Sequence, residues 1–220
     1  MRQPTDFDKA LTRSEARVVA GLTTPPRIQT FLDSIEYSEE DRYRCPLSVL
    51  RDGKGHCFDG ALFAATMLRL IGHPPLITDI IPNDNDEDHL LALYKIGGYW
   101  GAVAKSNYSG LRFREPVYRT LRELILSYFE DFFNAIGEKT MRAYTRPLNL
   151  AAFDRQDWMT SDKALDAIGE RLDEIQKFKP LTPAMIRNLS FADQRSVQAG
   201  LLGAKAAGLF KPSSRSSRSS

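Results

Sequence analysis

Between Cys57 and Ile71 the chain offers almost no polar side chain: CFDGALFAATMLRLI is interrupted only by Asp59, Thr66 and Arg69, spaced seven and three residues apart. On a helix of about 3.6 residues per turn these positions share one narrow stripe, so the rest of the circumference is apolar. Such a helix must be buried nearly all round, and any fold containing it has to supply partners on every side. Gly72 stops it, with His73-Pro74-Pro75 behind. The run is too short and too interrupted to cross a bilayer.

A chain of 220 residues, 42% of them hydrophobic, can build one core with appendages. Its formal charge of +2 carries no partner signal: Lys211, Arg215 and Arg218 in the tail supply +3 and leave residues 1–210 at −1. Nothing global points to nucleic acid. Two cysteines make no disulfide framework, and MRQPTDFDKALTRSEARVVAG has no apolar stretch suited to a signal peptide. The expected setting is a reduced cytoplasm, without a membrane.

An amphipathic helix is expected over residues 6–21, another from Pro26, and a short one after Pro46. LITDIIP reads as a strand. HLLALYKI and YWGAVAKS, separated by Gly97-Gly98, read as a two-residue hairpin in which opposed residue numbers sum to 195 and His89 faces Ser106. TLRELILSYFEDFFNAIGE reads as one helix stopped by Gly137, and KTMRAYTRPLNLAAF as adding an edge strand, since Pro147 excludes a central one. TSDKALDAIGERLDEIQKF opens with a Ser/Thr-Asp helix cap, and TPAMIRNLSFADQRSVQAGLLGAKAAGLF holds one or two more helices. KPSSRSSRSS cannot bury anything and reads as disordered.

Cys57 taken alone reads as a small core hydrophobe. Its place at the first turn of a helix makes it a candidate nucleophile as well, because the helix dipole and unpaired backbone N–H groups favour a thiolate. A thiolate also needs a cationic or basic partner. His56 is adjacent in sequence and should diverge, and His73 lies at the far end of the helix, roughly 24 Å away at the helical rise. His89 remains.

Gly55-His56-Cys57-Phe58-Asp59, the helix closed by Gly72-His73-Pro74, a strand, then His89 opening a hairpin that carries GGYW: this order resembles the core of transglutaminase-like proteins, within the papain-like cysteine superfamily. The resemblance covers about residues 26–136. It implies an α+β fold in which the helix bearing the cysteine packs on a small antiparallel sheet. Residues 1–25 are then an N-terminal appendage, 137–210 a mainly helical extension and 211–220 a tail.

The implied chemistry is acyl transfer without metal or organic cofactor. Cys57 attacks an amide carbonyl, His89 stabilises the thiolate and protonates the leaving amine, and water or an amine resolves the thioester. The substrate implied is an amide or peptide, proteins included. Proteins of this kind are expected to orient the histidine with an Asp shortly after the hairpin tryptophan, but Gly-Ala-Val-Ala-Lys-Ser-Asn follows Trp100. Asn107 is the expected third member, with Ser106 the alternative if the hairpin stays regular.

Competing readings are set aside on chemistry. Asp84, Asp86 and Asp88 fail as a calcium loop because His89 and Lys95 stand where Gly and Glu are needed. Cys57, His56 and His89 lack a fourth zinc ligand, and Cys45 reads as structural. The basic, aromatic segment 105–122 reads as a packed linker rather than a nucleic-acid face. The alternative function is a catalytically weak or inactive fold of this kind that serves as a protein-interaction module.

Overall fold

The computed structural model describes residues 6–210; the Ser-Arg tail expected to be disordered lies outside the described residues. The N-terminal segment forms two helices, α1 (Asp6–Ala10) and α2 (Arg13–Gly21), rather than one. Thr12 breaks it by capping α2, accepting the Glu15 N–H while the Glu15 carboxylate accepts the Thr12 N–H. Phe7 is fully buried. Next come α3 (Pro25–Ser34), β1 (Glu36–Tyr37), α4 (Pro46–Asp52) and β2 (Lys54–Gly55), the last pairing in parallel with β1.

Helix α5 (Cys57–Leu70) is the apolar run, and Phe58 to Leu68 are buried without exception, Asp59 and Thr66 included. One side of α5 rests on the sheet, and α3 and α4 cover the others. The sheet is built from β3 (Leu76–Pro82), β4 (His89–Ile96), β5 (Tyr99–Val103), β6 (Arg114–Tyr118), β7 (Met141–Thr145), β8 (Leu148–Asn149) and β9 (Lys177–Phe178). Its order is β6-β5-β4-β3-β7-β9, with β8 also on β3, and every pairing is antiparallel. The fold is therefore α+β, with the Cys57 helix packed on an antiparallel sheet.

The hairpin keeps the expected register from Ile96↔Tyr99 to Ala92↔Val103. Gly97 and Gly98 both have positive φ, 59° and 88°, as a tight two-residue turn requires. Pairing stops at Val103, so it never reaches His89 and Ser106.

Two expectations are corrected. The helix read over 120–138 is only α6 (Leu121–Leu126), followed by a 3-10 turn at Phe129–Asp131. Phe132 and Phe133 are adjacent and both about 1% exposed, which no single helix face can bury. Asn134 then diverts the chain by accepting the N–H groups of Ile136 and Glu138. The strand expected at the edge is β7, which lies between β3 and β9; Pro147 falls just beyond its end, where no ladder hydrogen bond is lost.

The segment read as a packed linker supplies the edge strand β6, whose Pro116 suits an edge. Three of its four arginines are engaged within the fold: Arg112 with Asp33, Arg114 with Asp131 and the Tyr128 ring, Arg122 with the Pro180 carbonyl. The C-terminal part adds α7 (Asp166–Glu174), α8 (Pro183–Arg187) and α9 (Gln194–Gly200). Among the described residues no helix is long and apolar enough to cross a membrane.

Gly60 sets the distance between α5 and the chain leaving the hairpin. A Cβ built there would lie 2.2 Å from the Cβ of Lys105, whose buried ammonium ties down the end of α3 through the Leu32 and Ile35 carbonyls at 2.7 and 2.6 Å. Gly60→Ala should therefore destabilise the protein by roughly 1–3 kcal/mol through overpacking. Gly169→Ala on α7, where a Cβ meets nothing within 4 Å, should instead stabilise it by roughly 0.5–1 kcal/mol. Urea unfolding of the two variants checks the opposite signs.

Candidate active site around Cys57

Cys57 is the first residue of α5, and His56 caps the helix, its Nδ1 accepting the Phe58 N–H at 3.2 Å. The position is fixed from beneath by Asp59. This buried carboxylate accepts the N–H of Arg44 at 2.8 Å and of His56 at 3.2 Å, and lies 3.7 Å from the Arg44 guanidinium. Arg44 is itself fully buried and also pairs with Asp52 at 3.0 Å and with Glu40. Burial pushes the Asp59 carboxyl up to about 7, against the pull of the Arg44 and His56 N–H groups.

Cys57 is half-buried, and its thiol faces the main chain where β4 begins, donating to the Asp88 carbonyl at 3.8 Å. It opens on a cleft of about 380 Å³ whose walls include Tyr37, Tyr43, His56, Phe58 and Leu90. Among the described residues Glu39, Glu40, Asp41, Glu87 and Asp88 line the same cleft and no lysine or arginine does, although Glu40 is paired with Arg44 and Lys54. Burial and then the Asp88 carboxylate raise the Cys57 thiol well above its ordinary value, although the Leu90 N–H favours the thiolate. In the resting chain the sulfur is a protonated thiol.

A second, smaller cavity of about 40 Å³ adjoins the first, and Cys57, His89, Ser106 and Asn107 all border it. The structure brings the four expected residues to one place without linking them. Alternation along β4 puts Leu90, Ala92 and Tyr94 on the α5 face and Leu91 and Leu93 on the other. His89 shares the second face and reaches the Leu111 carbonyl with Nε2 at 2.7 Å. A carbonyl only accepts, so Nε2 carries the proton and Nδ1 is the basic nitrogen. Burial, with Arg114 adding to it, lowers the His89 pKa to about 4.

Asn107, expected to take an imidazole N–H, instead accepts the Lys205 N–H at 2.8 Å and donates to the Lys205 carbonyl at 2.9 Å. The Ser106 hydroxyl accepts the Tyr108 N–H at 3.0 Å. Among the described residues no hydrogen bond joins His89 to Cys57, Asn107 or Ser106.

Sequence reasoning passed over Asp79, 6% exposed on β3 beside Leu90. Its Oδ1 has no hydrogen-bond partner among the described residues, and burial raises its pKa well above the ordinary value. A single carboxylate inside the apolar strand LITDIIP was the available signal. Cys45 is buried against Ser48 at 3.4 Å, away from the cleft. Among the described residues no three His, Cys, Asp or Glu side chains converge as a metal site.

No protein-family model matches this sequence, and no curated protein matches it. Solved structures of LapG from Legionella pneumophila are similar in outline. The calcium-bound form is 17% identical, with 47% of this chain and 65% of that chain covered and a TM-score of 0.35. The EGTA-treated form is 14% identical, with 77% and 91% covered and a TM-score of 0.40. This chain thus spans just under two thirds of the first and most of the second.

The buried His89 makes a prediction with a definite sign. Unfolded, an imidazole takes up its proton near 6.5; in the folded chain it does so only near 4. Across that interval the unfolded state binds more protons, so this contribution is complete above about pH 6.5 and is lost as pH falls toward 4, by about 3 kcal/mol. Asp59 works in the opposite sense but is common to wild type and His89→Gln, whose amide can still donate to Leu111. Urea melts from pH 7 to pH 4 should show wild type losing about 3 kcal/mol relative to the variant.

Proposed function

We propose that this protein is a cysteine-dependent hydrolase or acyltransferase with a transglutaminase-like core, acting on an amide or peptide bond through a thioester. The observation that carries the reading is the placement of Cys57: the first residue of a helix buried from Phe58 to Leu68, itself half-exposed and lining an open cleft. A cysteine retained only for packing has no need of that opening. His89 borders the adjoining cavity and keeps Nδ1 as its basic nitrogen.

In the reaction the Cys57 thiol loses its proton to His89, and the thiolate attacks the substrate carbonyl. The imidazolium then protonates the departing amine as the C–N bond breaks. Water, deprotonated by the same imidazole, or a second amine releases the acyl group from sulfur. Backbone N–H groups at the start of α5 are the available donors for the oxyanion. His89 has to turn from Leu111 toward Cys57 for the first proton transfer, so the arrangement described is a resting one.

A second reading, an interaction module without turnover, is favoured by one specific feature: the thiol is raised and the imidazole lowered, so the pair rests neutral. The test is labelling with an amide-directed electrophilic probe. Wild type should form a thioester-type adduct at Cys57 that Cys57→Ser does not form, while both chains melt at the same temperature, since serine is well tolerated at a helix start. Equal labelling of the two would remove the nucleophile, and labelling of neither would leave the interaction module.

A further inference from the structure

The cleft is not open along its whole length. After α9 the chain turns back, and Ala207, Gly208 and Leu209 lie along the larger cavity beside Cys57, while Gly208 and Phe210 border the smaller one with His89. The segment is seated by one side chain. Asn107 accepts the N–H and donates to the carbonyl of Lys205, so it reads both main-chain groups of one residue and nothing of its side chain. The Lys205 ammonium pairs with Glu36, and the Ser109 hydroxyl donates to the Ala199 carbonyl at 2.7 Å just upstream. Gly208 fits closely: a Cβ there would lie 3.0 Å from the Tyr37 ring and 3.3 Å from Asn107 Nδ2.

We propose that Asn107 is a receptor for peptide main chain, and that the protein's own segment 205–209 occupies it as a detachable strap covering Cys57. The inference rests on the reading of the Cys57 cleft as the functional site. Side-chain amides that pair with both main-chain groups of one residue recognise a peptide whatever its sequence, as an added strand does. Residues 204–210 are half-buried or exposed, none of them fully buried. The strap therefore contributes little apolar burial, and a few hydrogen bonds of about 1 kcal/mol each hold it. Such a cover yields to a competing peptide without unfolding the core.

The test reads the rate at which iodoacetamide alkylates Cys57 in the full-length chain, followed by mass spectrometry of the Cys57 peptide. Lys205→Pro removes the N–H given to Asn107 at a residue whose φ of −79° already suits proline. Gly208→Val drives a side chain into Tyr37 by an independent route. Both should raise the alkylation rate about tenfold, the effect of losing one or two such bonds, with no change in melting temperature. A synthetic peptide of residues 201–210, LLGAKAAGLF, should return the Lys205→Pro rate toward wild type with a saturable dose dependence. Unchanged rates in both variants would overturn the strap, and a peptide without effect would overturn the receptor. Because alkylation needs no turnover, these outcomes stand apart from the probe labelling that tests the enzymatic reading.

Discussion

The buried carboxylate of Asp59 holds this architecture in register. Helix α5 is apolar on nearly every side, and apolar contacts alone allow a smooth cylinder to slide or rotate with little penalty. At its N-terminus, however, Asp59 binds the N–H of Arg44 and of His56 and faces the Arg44 guanidinium. Breaking a buried pair by removing one partner costs about 3–5 kcal/mol, a large share of the stability of a domain this size. The carboxylate thus fixes the first turn of α5 to the loop before α4, and with it the place where Cys57 meets β4.

The same end of the helix shows two electrostatic effects in competition. The dipole and free N–H groups of α5 favour a thiolate by about 0.3–1 kcal/mol, up to roughly 2 in partly buried geometry. Against them stand desolvation of the sulfur and then the Asp88, Asp79 and Glu87 carboxylates. Together these outweigh the dipole, so the neutral thiol wins. His89 follows the same rule from the other side: without a charged partner, burial leaves its imidazole neutral. Each residue removes the reason for the other to ionise, which is why proximity around one small cavity does not make an ion pair.

How much of this was legible in the sequence depends on how local the cause is. Helix α5 was readable because its apolar run admits no other burial, and the hairpin because two adjacent glycines fix both turn and register. The facing of His89 was also within reach: the regular alternation through Leu90 and Leu91 sends it to the face away from α5. The helix after Thr120 was misread because its periodicity runs on through residues that Asn134 diverts by side-chain hydrogen bonding. Asn107 was expected to meet His89 and instead binds Lys205, which is 98 residues away and which no local pattern announces. The role of Asp59 was hidden for a similar reason, its partners lying on a loop that sequence periodicity does not describe.

The acidic lining of the cleft has a consequence in redox chemistry. Peroxide oxidises the thiolate and scarcely touches the thiol, so the first step to sulfenic acid is slow wherever a sulfur is held protonated. Cys57 sits half-exposed in a chain whose other cysteine is buried, the arrangement in which irreversible damage would ordinarily concentrate. Here burial, and after it the Asp88 carboxylate, raise the thiol and so slow that first step.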